Sequence, residues 1–189
     1  MRTIITLIVL SLVITISAQS PSNPDSTNRF GIIEGFWMPE LACDLGAGWE
    51  RIIFDWAQHQ PESPDDWHTL NVDDRWLKDA SRCHREVVAL LKNTPAWATD
   101  GTAGVGVPRG LDQPIDSPDN VWANFVRKAV DYYASRGVNH FIIWNEPDIS
   151  SDTYGYEFED ELEDYFMIVK VAYFVAKETN PSAQIHLAG

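Results

Sequence analysis

Short apolar runs alternate with amphipathic helices along this sequence, which predicts an α/β fold of parallel βαβ units. Three observations carry the prediction further, to a (β/α)8, TIM-barrel-type arrangement of which about the first four and a half units are present. Strand and helix signals follow one another in strict order from Phe30 to Leu187. Functional residue types recur at successive strand ends: Glu34 and Trp37, Asp55 and Trp56, Asn93 and Trp97, Asn145 and Glu146. A barrel gathers such residues into one mouth. An open doubly wound sheet would instead need a glycine turn that cradles phosphate after the first strand, and Glu34-Gly35-Phe36-Trp37 is not one.

Each element has its own signal. Residues 1–18 read as a cleaved secretory signal: Arg2 supplies the positive start, Ile4 to Ile16 the apolar core and Ser17-Ala18 the cleavage point. That apolar run is shorter than the ~20 residues a spanning helix needs, and no other stretch could span a membrane. The expected location is therefore secreted or extracytoplasmic. Residues 19–29, rich in Ser, Pro and Asn, read as a flexible lead-in to a barrel segment over 30–189. Phe30 to Phe36 is a first strand, Met38 to Leu45 a short helix stopped by Gly46, and Trp49 to Trp56 a second strand. Asp73 or Asp74 caps a helix that runs to about Arg85. Val87 to Leu91 is a third strand, and Ala98 to Asp116 a long, mobile loop. Its Gly104-Val105-Gly106 opens no helix, so it is not a dinucleotide turn. Ser117-Pro118 predict the next helix start, and the acidic run Glu157 to Asp164 the one after, its charges read as a solvated face. Gln184 to Leu187 begins a fifth strand.

The totals exclude some partners. The formal net charge is −14, so nucleic acid, which needs a basic surface, is not expected. The five histidines show no metal-ligand spacing, and neither a metal nor a cofactor is implied. His140, inside the fourth strand, reads as a core histidine. Of the two cysteines, Cys83 lies on the stripe Trp76, Ala80, Cys83, Val87 and reads as a buried thiol; export also permits a Cys43–Cys83 bridge, and both readings stay open.

The stretch Val138 to Asp148 organises the chain. Phe141-Ile142-Ile143-Trp144 has the composition of a buried strand. It breaks off in Asn145-Glu146-Pro147, because proline cannot donate to a ladder. A carboxylate is thus held at the C-terminal lip of a strand, where parallel α/β proteins bind ligands, beside an amide suited to a hydroxyl.

Trp144-Asn145-Glu146-Pro147 resembles the acid/base motif of the retaining glycoside hydrolases with (β/α)8 barrels. Trp49-Glu50-Arg51-Ile52, Gln60-Pro61 and Asn93-Thr94-Pro95-Ala96-Trp97-Ala98 match in order and spacing. The sequence is most similar to the family-39 β-xylosidase-like and family-5 cellulase-like members, over about Phe30 to Gly189. The resemblance implies that Glu146 is the acid/base, that Asn145 binds the sugar 2-hydroxyl, that Arg51 lies at the mouth near the carboxylates, and that Trp97 lines a sugar subsite. It implies a carbohydrate substrate and retention of configuration. The family's nucleophile is a Glu at the seventh strand end, which this chain does not contain. The chain is therefore expected to be a fragment, inactive alone, whose partner is a missing C-terminal half. A carbohydrate-binding relic or an interaction module of the same fold is the alternative.

Overall fold

The computed structural model of the protein describes residues 29–149 and 151–188; the signal segment 1–18 and all but Arg29 of the lead-in lie outside them. The chain runs β1 (Gly31–Ile33), a 3-10 turn (Gly35–Trp37), α1 (Pro39–Asp44), β2 (Trp49–Asp55), α2 (Trp56–His59), α3 (Asp74–Arg82) and β3 (Glu86–Lys92). A second 3-10 turn (Ala96–Ala98), α4 (Val121–Ala134), β4 (His140–Ile143), α5 (Leu162–Thr179) and β5 (Gln184–Leu187) follow. The five strands form one sheet in the order β1-β2-β3-β4-β5, every pair parallel.

This order separates the two α/β architectures. A doubly wound sheet reverses its winding and covers both faces with helices. Here every crossover steps the same way, and crossovers of one hand then place their helices on one face. The fold is the arc of a (β/α)8 barrel. The side-chain period of two supports it: on β2, Glu50, Ile52 and Phe54 are buried while Ile53 between them is 39% exposed.

The core lies between the sheet and the helices. Ile52, Phe54, Ala89, Leu91, Phe141 and Ile143 meet Trp122, Phe125, Ala129 and Tyr133 of α4, and Ile168, Ala172 and Val175 of α5. Each large side chain buried here contributes about 1.5–3 kcal/mol. Trp122 satisfies its own N–H by donating to the carbonyl of Ile168, 2.9 Å away, which ties α4 to α5. The opposite, concave face carries Ile33, Arg51, Ile53, Asp55, Val88, Leu90 and Lys92, as the register fixes: Ile33 lies beside Arg51, Arg51 beside Val88 and Asp55 beside Lys92.

Several local expectations are corrected. Cys83 is not a free buried thiol: it is bridged to Cys43, with Cα atoms 5.5 Å apart, and staples the end of α1 to the end of α3. Arg85, just beyond, directs Nη1 to the Cys43 sulfur at 3.4 Å and Nη2 to the fully buried Glu50 carboxylate at 3.2 Å. Burial raises the pKa of Glu50, and Arg85 opposes the rise. Ser117-Pro118 form a turn, and α4 is capped by Asn120, whose Oδ1 accepts from the Ala123 N–H at 3.0 Å. The long loop after β3 is cross-braced: Thr94 pairs with Gly104 and Thr99 with Pro108 in isolated bridges, and the Thr94 hydroxyl donates to the Gly106 carbonyl at 2.7 Å. The acidic run is not simply a solvated face either. Glu159 accepts from the Thr102 N–H and hydroxyl at 2.5 and 2.7 Å, clamping this loop to the segment before α5. His140 is half-buried on the concave face, its Nδ1 3.0 Å from Nε2 of His186. Among the described residues no helix is long and apolar enough to cross a membrane.

Candidate functional site

The C-terminal ends of the strands carry an unusual backbone. Non-glycine residues take positive φ after β1 (Glu34, 51°), after β3 (Asn93, 69°) and twice after β4 (Trp144, 70°; Glu146, 43°). Such conformations cost about 1–3 kcal/mol each and persist where surrounding contacts hold them, which in proteins is often a functional site.

The contacts that hold the β4 end are specific. The Trp144 N–H still donates to Leu91 on β3 at 2.9 Å. Its indole is fully buried, donates to the Glu157 carbonyl at 2.6 Å and meets Phe158 edge-on at 5.5 Å. With Trp144 anchored inward, the next two residues turn out of the sheet. Asn145 is half-buried and Glu146 exposed at the lip. Arg51 Nη1 donates to Asn145 Oδ1 at 3.4 Å, and Asn145 Nδ2 donates to Glu146 Oε2 at 3.1 Å. Three of the four residues singled out from the sequence are thus joined in one chain, Arg51 to Asn145 to Glu146.

The fourth is placed differently. Trp97 is half-buried, donates its indole N–H to the Gln60 carbonyl at 2.6 Å, and packs edge-on against the buried Trp56 at 5.9 Å. Its polar atom is spent within the protein, so only the remaining ring surface could meet a ligand.

Beside the chain lies an acidic and amide-rich floor. Asp55 accepts from the Gln58 N–H at 3.0 Å, capping α2, and from Asn93 Nδ2 at 2.6 Å. Lys92, next to Asp55 in the register, is buried and ion-paired with Glu157. Burial lowers the Lys92 pKa, while the negative charges of Asp55 and Glu146 oppose the fall. Lys92 and Glu157 are the residues that sequence reasoning missed. For Lys92 there was a signal: Val88, Leu90 and Lys92 share one parity on β3, so a lysine at that position had to face the mouth. Glu157 had none, because its role depends on a contact 65 residues away. Glu157 braces the site twice, by its carbonyl under Trp144 and by its carboxylate on Lys92.

Among the described residues, no group of three or more His, Cys, Asp or Glu side chains is placed to hold a metal ion. What the arrangement offers is a carboxylate at a strand lip, held by an amide and a guanidinium, in a mouth with further carboxylates and hydrogen-bonding amides. That is equipment for binding hydroxyl-rich ligands and for moving one proton.

The fold is a parallel (β/α)-barrel segment, and solved structures share it. Similar solved structures include a family 39 glycoside hydrolase from Bacteroides cellulosilyticus, with TM-score 0.64, 16% identity, and 85% of this chain matched to 31% of that one. Another is a family 5 glycoside hydrolase from Streptomyces cattleya in complex with Manβ1-4GlcNAc, with TM-score 0.57 and 14% identity over 79% of this chain and 37% of that one. A family 1 β-glucosidase from Thermotoga maritima matches with TM-score 0.56 and 16% identity, over 82% of this chain and 37% of that one. At such identities the likeness establishes the fold. The chain spans about a third of the length of these proteins. No family model matches the sequence, and no curated protein matches it.

Proposed function

We propose that this chain carries the acid/base side of a glycoside hydrolase active site in an exported protein acting on β-linked plant-type or microbial oligosaccharides or polysaccharides. The observation that supports it is the chain from Arg51 through Asn145 to Glu146 at the lip of β4. Glu146 gives its proton to the glycosidic oxygen as the bond to the anomeric carbon breaks. A second carboxylate bonds to that carbon as the leaving group departs, and Glu146 then takes a proton from the water that attacks the carbon and releases the carboxylate. Asn145 receives the sugar 2-hydroxyl, and Arg51 fixes the amide. A retaining reaction needs a second carboxylate about 5–5.5 Å away as nucleophile. In the glycoside hydrolases the sequence resembles, that carboxylate is a Glu at the seventh strand end, whereas Glu34 and Asp55 follow β1 and end β2. The nucleophile is therefore assigned to a strand beyond these five.

The test is Glu146→Gln in a protein that includes the remaining strands. Turnover of unactivated glycosides falls about 10²–10⁴-fold. Activated aryl glycosides, whose leaving groups need little protonation, lose less at the first chemical step. Unchanged turnover of unactivated substrates would show that Glu146 is not the acid/base.

A further inference from the structure

Lys92 closes β3 and is the only lysine buried among the described residues, at 8% exposure. The strands on both sides of it, β2 and β4, are in place, so this burial comes from neighbours already present. An ammonium taken out of water needs a counter-charge. Three carboxylates stand near enough to supply one. Asp55 is its neighbour in the β2–β3 register. Glu146 follows the end of β4, where Leu91 pairs with Ile143 and Lys92 comes level with Trp144. Glu157 belongs to the segment before α5. The negative charges of Asp55 and Glu146 both act on the ammonium, yet the ion pair is made with Glu157.

More than this pair holds Glu157 in place. Its carbonyl takes the Trp144 indole N–H at 2.6 Å. Phe158, next in the chain, is buried between Trp144 and Tyr165, with ring centroids 5.5 and 6.3 Å away. The Glu159 N–H donates to the Val105 carbonyl at 3.1 Å. The carboxylate is thus delivered to Lys92 by a segment anchored independently of it. Glu146, by contrast, accepts from the Asn145 amide, a neutral donor. The difference matters for a group that must gain and lose a proton, because a paired ammonium favours the ionised carboxylate.

We propose that Glu157 is a positioning residue: it holds the Lys92 ammonium away from Glu146, so that Glu146 keeps a neutral partner and can give its proton to the glycosidic oxygen. The proposal rests on the reading of Glu146 as the acid/base. Without the Glu157 charge, the buried ammonium turns to the carboxylates that remain. Glu146 paired with it stays ionised and has no proton to give. The later step, in which Glu146 acts as a base, uses the ionised form and is spared. Glu157 acts through Lys92 and touches no reacting atom.

The experiment uses the protein that includes the remaining strands. It compares the parent, Glu157→Gln, and Glu157→Gln combined with Lys92→Met, with kcat and KM on unactivated and activated aryl glycosides and a thermal melt of each. Glu157→Gln should lower kcat on unactivated glycosides by about tenfold or more, with KM little changed and a smaller loss on activated substrates. Adding Lys92→Met should restore most of that loss, because the ammonium that captures Glu146 is gone. A purely structural brace predicts the opposite, since the second substitution removes further packing and lowers kcat again. Glu157→Asp, one methylene shorter and milder for the fold, should show a smaller loss of the same pattern, also relieved by Lys92→Met; it carries the test if Glu157→Gln does not fold. The proposal is overturned if the folded variant turns over as the parent does, or if Lys92→Met brings no recovery. Glu146→Gln separates this from the reading beneath it. If Glu146→Gln turns over unactivated glycosides at the parent rate, the acid/base reading has failed and the role of Glu157 with it. If Glu146→Gln is slow and Lys92→Met brings no recovery, only the role of Glu157 has failed.

Discussion

Breaking the Cys43–Cys83 bridge gives a perturbation whose size follows from the structure. The two cysteines are 40 residues apart and close a loop that holds β2, α2 and α3. Cross-linking a loop of that length removes roughly 13 cal/mol/K of chain entropy from the unfolded state, about 4 kcal/mol at room temperature. For a domain of this size each kcal/mol shifts the melting temperature by about 2–4 °C. Cys43→Ser with Cys83→Ser should therefore lower it by about 8–16 °C, and so should a mild reductant acting on the parent protein. The direct contacts change little by comparison, since Arg85 keeps its ion pair with Glu50. The assay is a circular-dichroism melt of oxidised, reduced and double-serine protein, with free thiols counted in each. Coincident melts of oxidised and reduced protein would refute the reasoning. The bridge would then constrain nothing that the packed α1–α3 contact does not already hold.

Further outcomes are expected. These 189 residues by themselves should not hydrolyse aryl β-xylosides or β-glucosides; Glu146-dependent turnover by the purified chain would overturn the assignment of the nucleophile elsewhere. His59 is buried, its Nδ1 2.6 Å from the Asp55 carbonyl and its Nε2 2.7 Å from the Tyr133 hydroxyl, and burial lowers its pKa below the usual 6.5. Its contribution to stability is therefore complete above the unfolded-state pKa and is lost as the pH falls below about 6.5, by at most ~1.4 kcal/mol per pH unit. Denaturant titrations of the parent and of His59→Gln should differ in slope over that window, and parallel curves would contradict the assignment. Asn120→Ala removes the α4 cap and should cost about 1 kcal/mol, read as a lower urea midpoint with unchanged cooperativity.

How much of this was legible in the sequence depends on the range of the interaction. The alternation of strand and helix signals from Phe30 to Leu187 predicts parallel βαβ units, and the sheet has them in sequential order. That much is local: burial of one face writes a period into the chain, and the period survives without knowledge of the partner. The lip position of Asn145 and Glu146 was likewise readable from the end of the apolar run, although the strand stops at Ile143, where Trp144 turns to positive φ, four residues before Pro147. Local signals failed where two plausible starts competed. Ser117-Pro118 has the chemistry of a helix opening, yet Asn120 makes the cap, since only its side chain meets the Ala123 N–H once the preceding turn has formed.

Tertiary structure alone decided the rest. Spacing could not say whether Cys43 and Cys83 meet, because that depends on α1 and α3 ending side by side. The acidic run from Glu157 looks like a solvated face when only neighbours in sequence are considered. Folding instead brings Glu157 to Lys92 and Glu159 to Thr102, partners 65 and 57 residues away. The same holds for the site. The sequence places Arg51 on one strand and Asn145 beyond another, 94 residues apart. That they meet follows from where the sheet puts the ends of β2 and β4, a geometry set by strand order and register and invisible to any periodicity within a single element.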